Sequence, residues 1–160
     1  MGVVVRGARP DDRDDLCGAL VACGAFTSEE VGIAQQILDE ALVAGPESGY
    51  TLFVADGEGR ARGYVCVGRT PLTESTWHVY WICVDPAFQR KGVGRALQQH
   101  AEHAVAAAGG SRLVLETSGK PSYAPARAFY EQAGYAVVGR IPDYYRSGDD
   151  CVLYCKRLTD

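Results

Sequence analysis

The spacing of hydrophobic positions changes along the chain, and each change predicts an element. An apolar, β-rich run at residues 3–8 predicts a strand. Residues 10–23 predict a helix, because the proline at their start is accepted in a first helical turn. A second helix begins after Thr27, which forms a capping-box pattern with Glu30. Its apolar residues recur at helical spacing: Val31, Ala34, Leu38 and Leu42. The Gly-Pro pair at residues 45–46 is expected to end this helix.

The rest of the chain predicts strands interrupted by two helices. The β-rich runs at residues 51–55 and 61–67 flank a turn-rich segment and predict a hairpin, and residues 76–84 predict the next strand. A helix that starts at Gly92 has one apolar face, formed by Val93, Leu97, Ala101, Ala104, Val105 and Ala108. A strand at residues 112–117, another helix and two more strands follow. This order predicts the α/β class, with a mixed sheet flanked by helices.

Length and charge narrow the classes of function. At 160 residues the chain predicts one domain, residues 1–160, which is large enough to bury a substantial core. A net charge of −4 argues against a general nucleic-acid binder and fits a cationic acceptor such as an amine. No apolar run approaches membrane-spanning length, and the first residues show no signal-peptide pattern. We therefore expect no membrane partner and a cytoplasmic location.

The cysteines and histidines do not predict a metal site. None of the six cysteines forms a Cys-x-x-Cys pair, and each lies among apolar neighbours, so reduced core residues are expected. His100 and His103 lie on one helix with Glu102 between them, which is half of a metal-site pattern. No second Cys or His cluster accompanies them, so a solvated helix face and no bound metal are expected.

A glycine-rich basic segment after the strand at residues 76–84 predicts a phosphate site. It consists of Gln89, Arg90, Lys91, Gly92, Val93, Gly94 and Arg95. Glycine lets the backbone approach a ligand, and the free N–H groups at a helix start attract anions, as do the three basic side chains. The segment is not a P-loop, but it shares Gly-x-Gly with dinucleotide sites. That alternative has Leu97 in place of the third glycine and Glu116 as its ribose acid.

The same spacing, Gln89-x-x-Gly92-x-Gly94, resembles the acyl-CoA pyrophosphate loop of the GNAT superfamily of N-acyltransferases. Residues 126–135, with Phe129, Tyr130 and a terminal Gly-Tyr, resemble the second signature of that family. The first strand and helix entry and the closing hairpin are also similar, so the resemblance covers essentially the whole chain in order. It implies a twisted, mostly antiparallel sheet and an N-acetyltransferase that uses acetyl-CoA and an amine acceptor.

The resemblance also implies roles for individual residues. The cofactor-binding set comprises residues 89–95, Phe129, and the strand backbone at Ile82, Cys83 and Val84, where this strand splays from the next in the family. His78 occupies the place of a base in several members, and the ordinary pKa of histidine, about 6.5, suits that role. Glu74 is the alternative base. Tyr130 matches the tyrosine that protonates the CoA thiolate in many members, or it is only packing.

The acceptor and the assembly stay open at this level. Tyr144 and Tyr145 resemble a pair that lines the acceptor groove of N-terminal protein acetyltransferases. Tyr123 stands where that branch usually has an asparagine, which weakens the idea of a protein acceptor. A non-catalytic acyl-CoA-binding regulatory protein is the alternative function, and a homodimer is the assembly considered.

Overall fold

The computed structural model describes residues 2–158 as a seven-stranded sheet with helices on both faces. The strands lie in the order β1-β2-β3-β4-β5-β7-β6. The strands are β1 (Val4–Gly7), β2 (Thr51–Gly57), β3 (Arg60–Arg69), β4 (Thr76–Val84), β5 (Arg112–Ser118), β6 (Ala136–Arg146) and β7 (Asp149–Arg157). The helices are α1 (Arg13–Ala22), α2 (Ser28–Ala44), α3 (Val93–Ala107) and α4 (Ala124–Gln132). Only β4 and β5 pair in parallel, so the predicted mixed, mostly antiparallel sheet is confirmed.

Each face of the sheet carries its own hydrophobic core. On one face, α1 and α2 cover the first strands through a cluster that includes Leu16, Leu38 and Tyr64. On the other face, α3 packs through a cluster that includes Leu97 and Leu113, and residues of α4 join it. Because α1 contacts β3 and β4 and α2 packs on α1, the same face of β5, β7 and β6 is left more open.

The start of each of the first two helices shows how local sequence sets the boundaries. The capping box of α2 is confirmed: Thr27 Oγ1 accepts from the Glu30 backbone N–H at 3.2 Å, and the Glu30 carboxylate accepts from the Thr27 N–H at 2.8 Å. The predicted first helix begins instead as a 3₁₀ turn, Pro10–Asp12. Asp12 accepts from the guanidinium of Arg6 at 2.8 Å, and this bond ties the turn to β1.

The predicted apolar face of α3 is confirmed for Val93, Leu97, Ala101 and Val105, whereas Ala108 lies exposed after the last turn. The buried face also carries Gln98 and Glu102, which the apolar pattern does not include. Gln98 bonds to Tyr135, and Glu102 pairs with Lys156 of β7. Buried polar groups are accommodated when they find such partners.

The small and ionisable residues differ in part from expectation. All six cysteines are free thiols, and three of them, Cys66, Cys83 and Cys151, are buried as predicted. His103 is exposed, but His100 is only partly exposed and packs edge-on against Phe53, with ring centroids 4.7 Å apart. The expected solvated helix face is therefore wrong for His100. Within residues 2–158 no group of three or more His, Cys, Asp and Glu side chains could hold a metal ion. None of the helices described is long and apolar enough to cross a membrane.

Candidate active site

Strands β4 and β5 form a fork whose branching point is His78. Their parallel pairing covers only Thr76 to His78 on β4, opposite Arg112 to Val114 on β5. Beyond His78, β4 continues to Val84 paired with β3 alone, so its edge toward β5 opens. A register shift opposite Cys66 and Val67 of β3 leaves Tyr80 of β4 without a paired residue and marks a bulge in β4, and bulges increase local twist and redirect strands. The splay that the resemblance implies is thus present, and it leaves backbone groups free for a ligand.

The glycine-rich loop lies at the open end of this fork. Arg90 and Gly92 adopt left-handed conformations, with φ of 60° and 81°, and α3 begins at the next residue. Such turns direct successive N–H groups into one concave surface, and here a helix N-terminus adjoins it. The Gln89 side-chain amide donates to the Val84 carbonyl at 3.0 Å, so it fastens the loop to the strand end. The loop therefore combines left-handed turns, a helix N-terminus and the exposed basic side chains of Arg90, Lys91 and Arg95.

Packing around the loop involves residues that the motif does not include. A Cβ built on Gly94 would lie 3.3 Å from the Phe129 ring, so this glycine lets α3 and α4 approach closely. On the other side, the Arg62 guanidinium lies 4.6 Å from the centre of the Phe88 ring, and the Lys91 ammonium lies 5.5 Å from it. Arg62 comes from β3 and is brought to the loop by tertiary structure alone, so no local sequence signal marks it.

His78 points to the α1–α2 face of the sheet, where its ring stacks on Tyr80 at a centroid distance of 5.1 Å. Its Nε2 lies 3.8 Å from Oε1 of Glu116 on β5. Burial lowers the pKa of His78 below its ordinary value, and the charge of Glu116 opposes that effect in part. The imidazole is therefore mostly neutral near pH 7 and able to accept a proton.

Tyr130 belongs to the opposite face of the sheet. It packs among Phe129, Tyr135 and Tyr154, with ring centroids 5.4, 5.9 and 6.2 Å away. Burial raises the pKa of Tyr130 to about 12, so its phenol keeps its proton at neutral pH. A protonated phenol is the form that can act as an acid.

The other predicted side chains occupy different places. Tyr144 and Tyr145 are half-exposed on β6, and the Tyr145 hydroxyl lies 3.8 Å from the sulfur of Cys151. Glu74, the alternative base, lies exposed in the turn before β4, where its backbone carbonyl accepts from Arg69 at 2.9 Å. The carboxylate that the structure brings to His78 is Glu116 instead.

The dinucleotide interpretation does not fit this arrangement. Leu97, in the place of its third glycine, is fully buried in the core under α3. Glu116, its proposed ribose acid, faces His78 on the open side of the sheet. The sheet is mostly antiparallel, whereas dinucleotide folds are built on a parallel, doubly wound sheet.

Comparison with known proteins agrees with the fold and identifies the family. Residues 48–137 match the family model of the acetyltransferase (GNAT) domain. A crystal structure from Desulfovibrio desulfuricans, assigned to the GNAT family, superposes with a TM-score of 0.95 at 39% identity, covering 99% of this chain and 100% of that one. An uncharacterised N-acetyltransferase of Methanocaldococcus jannaschii is 29% identical over 146 residues, 82% of this chain and 88% of the relative.

A more distant solved structure shares the fold. It is an aminoglycoside 6′-N-acetyltransferase in complex with coenzyme A, with a TM-score of 0.76 at 16% identity and 98% coverage of each chain. The family match spans the strand, loop and helices that build the fork. This chain belongs to the GNAT family of acetyltransferases.

Proposed function

We propose that this protein transfers the acetyl group of acetyl-CoA to a primary amine of a small molecule or of a peptide or protein. One observation carries the proposal: a fork between β4 and β5 opens beside a glycine-rich basic loop, with His78 and Tyr130 on opposite faces. A thioester that lies in the fork would have a base on one side and an acid on the other.

The binding of acetyl-CoA follows from the loop and the open strand edge. The N–H groups of the loop and the charges of Arg90, Lys91 and Arg95 suit a pyrophosphate. The edge formed by Ile82 and Cys83 offers backbone groups to the pantetheine arm. Coenzyme A is present in the aminoglycoside acetyltransferase of the same fold, which supports this choice of co-substrate.

The chemistry requires the acceptor nitrogen to lose two protons and the thiolate to gain one, and a residue is proposed for the first loss and for the gain. An aliphatic amine has a pKa near that of lysine, about 10.4, so it arrives mostly protonated and must lose a proton before it attacks. His78 accepts that proton. As the C–N bond forms, the attacking nitrogen becomes cationic and loses a second proton to solvent. As the C–S bond breaks, Tyr130 donates its proton to the departing thiolate and regains one from solvent, so that the products are a neutral amide and a neutral thiol. Neither step needs a metal ion.

The acceptor is proposed to enter over the open face of β5, β7 and β6, between the α1–α2 side and the half-exposed rings of Tyr144 and Tyr145. The deciding experiment is a panel of small amines and peptides incubated with acetyl-CoA and scored for thiol release. We expect an acetylated product for at least one class of amine. Binding of acetyl-CoA without turnover on any amine would favour a non-catalytic acyl-CoA-binding protein.

A further inference from the structure

The sequence suggests for Glu116 only the role of ribose acid in a dinucleotide site, whereas the structure places its carboxylate beside His78. Its side chain is 39% exposed, and its carboxylate faces His78, which is 21% exposed. Glu116 lies on β5 two residues beyond Val114, where β4 and β5 part, so it stands at the mouth of the fork. Among residues 2–158, no lysine or arginine forms an ion pair with it. The half-exposed carboxylate of Glu116 therefore lies beside His78, the proposed base, without a Lys or Arg partner among these residues.

The separation of the two groups suggests what fits between them. A distance of 3.8 Å from His78 Nε2 to Glu116 Oε1 exceeds a direct hydrogen bond, which needs about 2.7–3.2 Å. A single nitrogen with several protons, placed to one side of that line, can lie within bonding distance of both atoms. Aliphatic ammonium groups have this property, because they carry three donors on one charged atom.

The surroundings of the pair favour a cation. The titratable groups around it are Tyr80 on β4, Tyr145 on β6 and Cys151 on β7. The charge of Glu116 contributes to raising the pKa of each of these groups, with burial as the larger cause. They therefore stay neutral at pH 7, so none of the three brings a positive charge that would repel a cation bound between Glu116 and His78.

We propose that Glu116 binds the ammonium form of the acceptor beside His78, so that the site selects aliphatic amines over neutral arylamines. This inference rests on the proposed acetyl transfer. One ammonium proton passes to His78 Nε2 while the Glu116 carboxylate keeps its contact with the nitrogen, and the nitrogen lone pair so released is directed at the thioester. Glu116 is then a specificity-determining residue, and His78 is the proton acceptor.

The test uses the NMR titration of His78 in the full-length protein with CoA bound, where no acetyl transfer takes place. The probe is n-butylammonium, a fragment common to lysine side chains and polyamines, and n-butanol is its uncharged control. In the parent, n-butylammonium should lower the pKa of His78, because a positive charge beside the imidazole disfavours its protonation, whereas n-butanol should not. The signal is assigned with His78→Gln.

Glu116→Gln should remove this response and lower the pKa of free His78, since the carboxylate opposes the effect of burial. The exposed Glu40→Gln on α2 is the matched control and should behave as the parent. On an aliphatic acceptor, Glu116→Gln should raise KM about tenfold or more, as expected for the loss of a charged hydrogen bond.

Three results would overturn the inference: an n-butylammonium response that persists in Glu116→Gln, an equal response to n-butanol, or no response in the parent at saturation. The titration does not depend on turnover. A failed amine panel would therefore contradict the proposed function, and a failed titration would contradict only the role of Glu116.

Discussion

At His78, burial and a neighbouring carboxylate shift the pKa in opposite directions, and burial is the stronger effect. The pKa thus lies below the ordinary 6.5, and turnover should fall as the pH drops through that lowered value, because the imidazolium cannot accept a proton. His78→Ala should lower turnover about a hundredfold or more and abolish this acidic limb. The control His103→Ala, at an exposed position on α3, should keep the turnover rate and the acidic limb of the parent. An unchanged rate and profile for His78→Ala would assign the base to another group.

Tyr130 can be tested by removing a single oxygen atom. Tyr130→Phe keeps the ring among Phe129, Tyr135 and Tyr154, so the melting temperature and acetyl-CoA affinity should stay close to the parent. Turnover should drop sharply, because the phenol that protonates the thiolate is gone. Tyr154→Phe loses a hydroxyl that bonds to Glu131 at 3.3 Å in the same core, and it should retain turnover. Full activity of Tyr130→Phe would leave Tyr130 as a packing residue.

The residues of the candidate site differ in how far the sequence predicts them. His78 and Tyr130 can be chosen from the sequence, because each lies at a fixed place relative to a recognisable segment. The approach of Glu116 to His78 depends on the parallel register of β4 and β5, which pairs His78 with Val114 and puts Glu116 on the same face. Arg62 likewise reaches Phe88 only through the pairing of β3 with its neighbours. Short-range patterns do not contain register, so they cannot show such contacts.

Among the elements, the start of α3 carries the strongest prediction from sequence, and a substitution at Gly94 tests it. Gly94→Glu would put a side chain next to Phe129 and a negative charge beside the proposed pyrophosphate site. Acetyl-CoA affinity should fall at least tenfold. Gly32→Glu on α2, where a Cβ meets no atom within 4 Å, is the matched control and should bind as the parent. Isothermal titration calorimetry gives both affinities, and equal values would show that the phosphates bind elsewhere.

Lys156 joins three elements at a partly buried point. Its ammonium on β7 pairs with Glu102 of α3 and donates to the Ala133 carbonyl after α4 at 2.7 Å. Lys156→Met should lower the free energy of unfolding by about 2–3 kcal/mol, because it leaves the Glu102 charge without a partner. The loss is smaller than for a fully buried ion pair, because this pair is only partly buried. Lys156→Met with Glu102→Leu should recover most of that loss. Urea unfolding gives both free energies, and equal losses in the two variants would show that the charge pair itself is not responsible.

Element boundaries follow closely from local chemistry, whereas the composition of buried faces does not. The capping pattern at Thr27 and the strand at residues 76–84 agree with the structure, because caps and β-rich runs act over a few residues. The buried polar residues Gln98 and Glu102 are missed, since their partners lie on distant segments. The first turn before α1 is tighter than predicted for the same reason, because Asp12 is engaged by Arg6.

At the scale of the whole molecule, the fork leaves backbone N–H and C=O groups of β4 without hydrogen-bond partners on β5. A ligand bound in the fork should supply those partners. The open edge of β4 beyond His78 and the N–H groups of the loop are two parts of one site. Binding there selectively stabilises the folded state, by about 2.7 kcal/mol at a ligand concentration of 100 times Kd. For a chain of 160 residues, that corresponds to a rise in Tm of roughly 5–10 °C.

We therefore expect acetyl-CoA to raise the melting temperature of the parent in a concentration-dependent manner, and NAD to leave it unchanged. Gly94→Glu should respond only weakly to acetyl-CoA, measured against its own melting temperature without ligand, because its phosphate site is blocked. Tyr130→Phe should respond as fully as the parent, since its change affects proton transfer and not binding. Differential scanning fluorimetry measures all three. A response to NAD equal to that of acetyl-CoA would contradict an acyl-CoA site, whereas loss of the response in Tyr130→Phe would place its hydroxyl among the groups that bind the co-substrate.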